Sequence, residues 1–344
     1  MKEYSFCLVG FGNVARAFAR LIQRKEKEFK EKYDLSFKVT AIATGSHGRA
    51  IDPDGIDISK ALALSEAGDM LDSLSKVDLP EDISEFIALS KADFALENSP
   101  VNYESGEPAI SHIRCALEND MHAISANKGP VVHAYHELKA LAEKHNKKYL
   151  FESAVMDGAP IFSVFREALP AANVNSFEGI LNSCTNLLIE LMEDGKSFDD
   201  AVAYAQSIGI AETDPSGDID GWDASIKVAA LITVLMDIPF KPQQVDREGI
   251  RNLSLTEIQQ AKKEGNRWKL VCRAERSENG IIAKVAPEII TPQSPLFSVS
   301  GTSSFIQFKT DVLPGLGILE SNPSPDTTAY GLLADVLNIV KTER

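Results

Sequence analysis

The chain has 344 residues, with 50 acidic and 35 basic side chains, a formal net charge of −15 and 44% hydrophobic residues. At ~150 residues per domain this length predicts two domains with sizeable cores, and the acidic balance excludes nucleic acid and anionic membrane surfaces as partners. Cys7, Cys115, Cys184 and Cys272 lie too far apart for a disulfide framework or a paired-cysteine zinc site, and no apolar window reaches the ~18 residues of a membrane span, so a cytoplasmic protein with reduced thiols is expected.

Residues 5–9 read as a short apolar strand, and Gly10-Phe11-Gly12-Asn13-Val14-Ala15 after it fits the G-x-G-x-x-G/A dinucleotide fingerprint. Val14, Ala17, Phe18, Leu21 and Ile22 recur at helical spacing, giving strand, glycine turn and amphipathic helix in the order a dinucleotide site requires. Gly10 permits the tight turn, Gly12 the approach of a pyrophosphate, and Ala15 the packing of helix on strand. Asn13 and Val14 stand at the helix N-terminus, whose amides face the phosphates. The charged run at 24–33 reads as a solvated extension of that helix.

A second strand at 37–43 ends in Thr44-Gly45-Ser46-His47-Gly48-Arg49, where an NAD-specific site usually places an acid on the ribose 2′-hydroxyl. No acid stands in that run; Ser46, His47 and Arg49 suit a 2′-phosphate instead, so NADP is expected over NAD. After turns and a short helix over 52–82, a strand at 92–96 runs into Glu97-Asn98-Ser99-Pro100, and a helix follows near 107–119. A strand at 122–125 then runs into Ala126-Asn127-Lys128-Gly129-Pro130, followed by a helix near 134–145 and a strand at 148–152. This alternation predicts a doubly wound parallel sheet whose strand ends, with Ser99 and Asn127, face the ligand crevice. His133 and His136 lack a third ligand and read as surface residues.

Near residue 151 the pattern changes to longer helices and antiparallel-looking strands, among them 175–181 and 268–274, and a second domain is expected to begin there. Its densest chemistry is Ala211-Glu212-Thr213-Asp214-Pro215-Ser216-Gly217-Asp218-Ile219-Asp220-Gly221-Trp222-Asp223, followed by Ala224-Ser225-Ile226-Lys227. Asp223 and Lys227, at i and i+4, share a helix face, and Glu212 and Asp218 reach toward the same spot from the preceding loop. Acidic groups there suit a substrate amine, and a lysine suits proton transfer at an alcohol oxygen. Two plainer readings compete. Asp218-x-Asp220-Gly221 is a fragment of a calcium loop that lacks its closing glutamate, and the segment also fits a capped helix start with a surface ion pair.

Together, GFGNVA at 10–15, ENSP at 97–100, SANKGP at 125–130, GILN at 179–182 and AETDPSGDIDGWDASIK at 211–227 resemble homoserine dehydrogenase over essentially the whole chain. The resemblance implies reversible interconversion of L-homoserine and L-aspartate 4-semialdehyde with NAD or NADP, a step of threonine, methionine and isoleucine biosynthesis. It implies an α/β fold with a Rossmann-type domain over 1–150, completed by 305–344. Over 151–304 it implies an α+β catalytic and dimerisation domain with an open mixed sheet, forming a homodimer. Lys227 matches the family's catalytic lysine, Asp223 the aspartate beside it, Lys128 a second active-site lysine, and Glu212 and Asp218 acidic substrate-binding positions. In those terms Lys227, or a water it orients, takes the hydroxyl proton as hydride leaves the substrate carbon, and Lys128 stabilises the charge developing on oxygen. A monovalent cation, Na+ or K+, is implied at backbone carbonyls matching Val155, Asp157 and Ala159, with Glu152 nearby.

Three segments depart from the family pattern. Asn182-Ser183-Cys184-Thr185-Asn186 replaces Asn-Gly-Thr-x-Asn, and the turns at 155–160 and 314–317 are altered from glycine-rich ones. Cys184 is expected to be a small buried residue beside the cofactor. Its segment also looks like the nucleophile of phosphorylating aldehyde dehydrogenases, but all six histidines precede it, whereas those enzymes take their base from downstream. The altered segments leave another small amino or hydroxy acid open as substrate. A non-catalytic NADP-binding sensor is the alternative of a different class, and Lys128, Asp223 and Lys227 together argue against it. No regulatory ACT domain is expected, nor feedback by threonine through one, and a final helix from Tyr330 is expected to return to the nucleotide domain.

Overall fold

The computed structural model describes residues 1–343. The first strand, β1 (Lys2–Val9), buries side chains on both faces: Tyr4, Phe6 and Leu8 enter one apolar cluster, Cys7 and Val9 another. This period-two division is what a strand covered by helices on both sides requires. Around β1 the sheet order is β3-β2-β1-β4-β5-β6, with β2 at Leu35–Ala43, β3 at Arg49–Ile51, β4 at Phe94–Glu97, β5 at His122–Ser125 and β6 at Tyr149–Leu150. All pairs are parallel except β2 with the edge strand β3, which is antiparallel.

One face is covered by α1 (Asn13–Arg24), which buries Ala15, Phe18, Leu21 and Ile22. Behind α1 come α2 (Glu26–Glu28) and a π-helical turn, Phe29–Tyr33. The charged run is therefore not wholly a solvated tail. Phe29 is buried, its ring edge-on to Phe37 at 5.0 Å, because one apolar residue in the run reaches back to the sheet. Next follow α3 (Ile58–Ala67), α4 (Ile83–Ser90) and α5 (Ala109–Glu118); Phe86, Ile87 and Ala116 cover the opposite face. The helix expected near 134 begins earlier, as α6 (Lys128–Lys144), since the Asn127 side chain caps it at the Gly129 amide; non-helical dihedrals at Ala134 mark the kink inside it.

The second sheet has the order β12-β11-β7-β9-β10-β8 and is antiparallel except for β10 with β8. Its strands are β7 (Val174–Ile180), β8 (Asp246–Arg247), β9 (Arg267–Ser277), β10 (Gly280–Ile290), β11 (Ser304–Thr310) and β12 (Leu316–Glu320). The helices α7 (Ser183–Glu193), α10 (Trp222–Leu235) and α11 (Leu255–Lys263) pack against β9; α8 (Phe198–Ser207) and the short α9 (Ser216–Ile219) complete the layer. Gly179 is required where β7 meets β11, because a Cβ there would lie 2.4 Å from the Phe305 carbonyl oxygen.

The chain divides into Met1–Pro160 with the segment from Ser324 onward, and Ile161–Pro323. The boundaries expected at 150 and 304 therefore shift. β11 pairs antiparallel with β7 from Phe305 opposite Ile180 to Thr310 opposite Val174, so 305–323 belongs to the second sheet. What joins the first unit is α12 (Pro325–Thr342), whose Leu332, Leu333, Val336, Ile339 and Val340 enter the same cluster as α1. No helix among the described residues is long and apolar enough to cross a membrane.

Candidate active site

In the first unit β1 lies between β2 and β4, the point of reversal at which open parallel sheets form their ligand crevice. Gly10 has φ of +90°, and a Cβ on it would lie 2.6 Å from the Asn98 carbonyl oxygen, so both the turn and the close passage of β4 demand glycine. A Cβ on Gly12 would meet nothing within 4 Å, leaving open space above the first turn of α1. That turn has neither a side-chain cap nor an acidic residue, whereas α3 and α4 are capped by Asp57 and Asp82. Uncapped amides facing open space fit a pyrophosphate. Ala15 is fully buried, Val14 half-buried, and Asn13 accepts a hydrogen bond from Arg16 at 2.7 Å.

Ser99 and Asn127 come together because β4 and β5 are adjacent and parallel. The Asn127 amide donates to the Ser99 carbonyl at 3.1 Å, and its Oδ1 accepts from the Gly129 amide at 2.9 Å, which sets Lys128 at the head of α6. Beneath them Glu97, 1% exposed, accepts from the Ser99 amide at 3.0 Å, the Ser99 hydroxyl and the Ser125 hydroxyl.

The residues expected to read a 2′-phosphate do not share one direction. Ser46 and His47 lie in the β2–β3 hairpin loop, with Ser46 Oγ 2.8 Å from His47 Nδ1. Arg49 instead donates to the carbonyls of Pro80 and Glu81, at 3.2 and 2.9 Å, over the Phe86 ring. The space a side chain at Gly48 would fill is taken by the carboxylate of Asp72.

Within the 152–159 turn, Glu152 is buried, with its amide donating to Asp335 at 2.7 Å, and Val155 and Ala159 are buried as well. Asp157 has φ of +38°, a glycine-like conformation, and its Oδ1 accepts from the Thr328 hydroxyl at 2.6 Å. The carboxylate thus ties the turn to the first turns of α12.

In the second unit the polar segment is drawn together by side chains. Lys227 Nζ is 2.9 Å from Asp223 Oδ2 and donates to the Leu181 carbonyl at 2.6 Å; the two side chains are only 14% and 12% exposed, which removes the reading of a surface ion pair. Asp218 approaches from α9 and meets Asn182, whose amide donates to Asp218 Oδ1 at 2.6 Å and to Asp223 Oδ2 at 3.0 Å. Cys184 lies on the same acid: burial first, then the Asp218 charge and their hydrogen bond, push its thiol well above the ordinary range. A thiol held protonated in this way is not an activated nucleophile.

Glu212 stands apart, exposed in the loop, whose carbonyl accepts from Gln206 at 3.1 Å. Asp220 pairs with the Arg251 guanidinium at 2.8 and 3.0 Å, so the calcium-loop fragment is spent on an ion pair. Asn182 and the Leu181 carbonyl are the components that residue-type reasoning missed. Their only signal was the GILN run, whose last residue precedes a helix.

A glycine turn at a sheet's reversal point, and a part-buried lysine among carboxylates in a separate unit, fit the class of dinucleotide-dependent oxidoreductases. A family model described as "Homoserine dehydrogenase" matches residues 160–337, and one described as "Homoserine dehydrogenase, NAD binding domain" matches 10–152. The chain is 33% identical to an NAD(+)-dependent homoserine dehydrogenase of Pseudomonas canavaninivorans, covering 98% of this chain and 97% of that protein. It is 32% identical to the homoserine dehydrogenase of Methanocaldococcus jannaschii, covering 98% of each. Among solved structures, homoserine dehydrogenase from Thermoplasma acidophilum superposes with a TM-score of 0.83 at 25% identity, covering 99% of this chain and 100% of that one. A hyperthermophilic archaeal homoserine dehydrogenase mutant in complex with NADPH gives 0.82 at 26% identity, covering 99% and 98%. The chain belongs to the homoserine dehydrogenase family. It is an NAD(P)-dependent oxidoreductase acting on a CH–OH group, interconverting L-homoserine and L-aspartate 4-semialdehyde.

Proposed function

We propose that Lys227 handles the hydroxyl proton of L-homoserine and that Asp218, with Glu212 from the neighbouring loop, holds its ammonium group. The observation that carries this reading is the lysine held between the Asp223 carboxylate and the Leu181 carbonyl, inside a cluster with a second carboxylate. The bound dinucleotide supplies hydride chemistry at its nicotinamide ring. In the reductive direction the Lys227 ammonium gives a proton to the aldehyde oxygen as charge builds there; in the oxidative direction the amine takes it back, and Asp223 steadies the charged form. Lys128 is assigned to stabilising charge on the same oxygen on the strength of the SANKGP match. Gly10, Gly12, Asn13, Val14 and Ala15 are assigned to the pyrophosphate, and Ser99 and Asn127 to the rest of the cofactor; Cys184 is reassigned from the cofactor to the Asp218 side.

For the cofactor we favour NAD over the NADP expected from Ser46, His47 and Arg49. Arg49 is engaged elsewhere, Asp72 adds an acid to the loop, and a curated relative is named as NAD(+)-dependent. A Na+ or K+ ion is proposed at the carbonyls of Val155, Asp157 and Ala159, near Glu152. The Asp157 side chain keeps to Thr328 while its backbone holds the glycine-like conformation, so the substitution preserves the path of the turn. A homodimer is proposed through the open face of the second sheet, a groove lined by Glu178, Arg273, Lys284, Gln307 and the exposed Ile282. The cytoplasm is the proposed location, consistent with four free thiols.

Initial rates with L-homoserine test the reading. Substrate-dependent reduction of NAD, faster than of NADP at equal concentration, is expected. Arg49→Ala should alter both cofactors equally, whereas a loss confined to NADP would return that residue to the 2′-phosphate. No L-homoserine rate with folded, cofactor-binding protein would contradict the proposed roles.

A further inference from the structure

Between β4 and β5 the backbone ladder ends with Glu97 opposite Ser125. The loops beyond it carry Ser99 and Asn127, and a circuit of side chains ties the two loops together. Glu97 Oε1 accepts from the Ser99 amide at 3.0 Å and from the Ser99 hydroxyl. The Ser125 hydroxyl donates to the Glu97 carbonyl at 3.0 Å and lies 3.4 Å from Glu97 Oε2, while its oxygen accepts from the Asn127 amide at 2.9 Å. The Asn127 side chain closes the circuit by donating to the Ser99 carbonyl at 3.1 Å. We propose that Glu97 is a positioning residue that holds Ser99 and Asn127 in place for the nicotinamide half of the dinucleotide.

Two features of the fold assign that role. In an open sheet of this kind the adenosine ribose lies at the end of the strand after the glycine turn and the dinucleotide spans the reversal point, so its other half lies beyond the first strand. Here the strands on that side are β4 and β5. The second feature is depth. Glu97 is 1% exposed and is covered by His112 of α5, whose Nδ1 lies 3.4 Å from Oε1, so the carboxyl group stays out of a ligand's reach. Its effect passes through the half-buried Ser99 and through Asn127, whose Oδ1 also caps α6 at the Gly129 amide. Removing the Glu97 side chain takes the acceptor from the Ser99 amide and hydroxyl together, and no ladder between β4 and β5 remains at that point to hold the loop. The inference rests on the proposed assignment of Ser99 and Asn127 to the cofactor, and it names the residue that fixes their spacing.

ADP carries only the adenosine half and the diphosphate, so calorimetric titration of NADH and ADP separates the two halves without any turnover. Glu97→Ala is expected to weaken NADH about tenfold, the size of one or two lost hydrogen bonds, and to leave ADP unchanged. A merely structural role would lower Tm while the folded protein kept both affinities, and that result would overturn the proposal, as would equal losses for NADH and ADP. Glu97→Gln keeps an acceptor oxygen for Ser99 and should bring NADH affinity back to within about threefold of the wild type; a variant as weak as Glu97→Ala would also overturn it. Should Glu97→Ala fail to fold, Ser125→Ala removes the hydroxyl that joins Glu97 to Asn127. NADH about threefold weaker with ADP unchanged is then expected, and an unchanged NADH affinity would overturn the proposal. Ser99→Ala and Asn127→Ala tell two failures apart. If either weakens NADH while Glu97→Ala does not, the assignment of these residues stands and this inference fails; if neither does, the assignment fails and the inference with it.

Discussion

In the first unit the positions proposed to bind the cofactor's pyrophosphate are held by backbone. Gly10 turns because no Cβ fits beside Asn98, and the amides of α1 stand uncapped over open space. In the second unit the corresponding work falls to side chains drawn from separate segments: Asn182 before α7, Asp218 on α9, and Asp223 and Lys227 on α10. The difference teaches where each site is vulnerable. A backbone-built site tolerates changes of polarity and is broken by one added carbon, whereas a side-chain-built site is broken by the loss of one donor.

The contrast is sharpened first at Gly10. Gly10→Ala forces a Cβ against the Asn98 carbonyl at φ of +90°, costing roughly 2–4 kcal/mol in strain and displacement. Calorimetric titration should find NADH affinity reduced by at least ~100-fold, and an unchanged affinity would mean that the turn does not contact cofactor. The next effect lies under the second site. Lys269 is fully buried, donates to Asn186 Oδ1 at 2.7 Å and to the Val299 carbonyl at 2.6 Å, and is pushed down by burial to about 8. Lys269→Met takes its donor from Asn186 Oδ1 and leaves the Val299 carbonyl only the 3.4 Å bond from the Asn186 amide, but also removes a costly buried charge, so a net loss of about 2 kcal/mol is expected in urea unfolding. A variant as stable as the wild type would show that the charge cost cancels the bonds.

The smallest effect is a dependence on pH in the first unit. Glu343 accepts from His122 at 2.9 Å and from Tyr4 at 3.0 Å, while the Lys148 amide donates to His122 Nδ1 at 3.1 Å, which leaves Nε2–H to face the carboxylate. Burial lowers His122 below its ordinary 6.5. Burial alone would raise Glu343, but the hydrogen bonds from His122 and Tyr4 prevail and hold it below 4.5. Both depressed groups bind protons more readily when unfolded, so their contribution is complete at neutral pH. The histidine part is lost as pH falls below about 6.5, and the glutamate part below about 4.5. Tm should fall through that window, and Glu343→Gln should lower Tm at pH 7 more than at pH 4. An equal drop at both would remove the carboxylate from the acid response.

Much of this was legible in the chain itself. The strand–turn–helix at 5–22 was readable because its signals are local: alternation, two glycines and a 3.6-residue apolar period. The same held for Asp223 and Lys227, which one helix turn joins. What escaped depends on contacts between distant segments. Asn182 sits 36 residues from Asp218 and 41 from Asp223, and no local pattern announces such a bridge. The partners of Arg49 were hidden for the same reason, since the carbonyls it donates to come from residues 80 and 81. The extent of the second sheet was missed because the pairing of β11 with β7 joins positions more than a hundred residues apart.

The central claim is that proton handling resides in the Lys227 cluster and is separable from cofactor binding in the glycine turn. The most direct test measures L-homoserine-dependent NAD reduction and NADH affinity together for the wild type and Lys227→Ala. The account predicts a fall in kcat of at least ~100-fold, the usual size of a lost acid–base group, with NADH affinity unchanged. A Lys227→Ala enzyme that turns over like the wild type would contradict it.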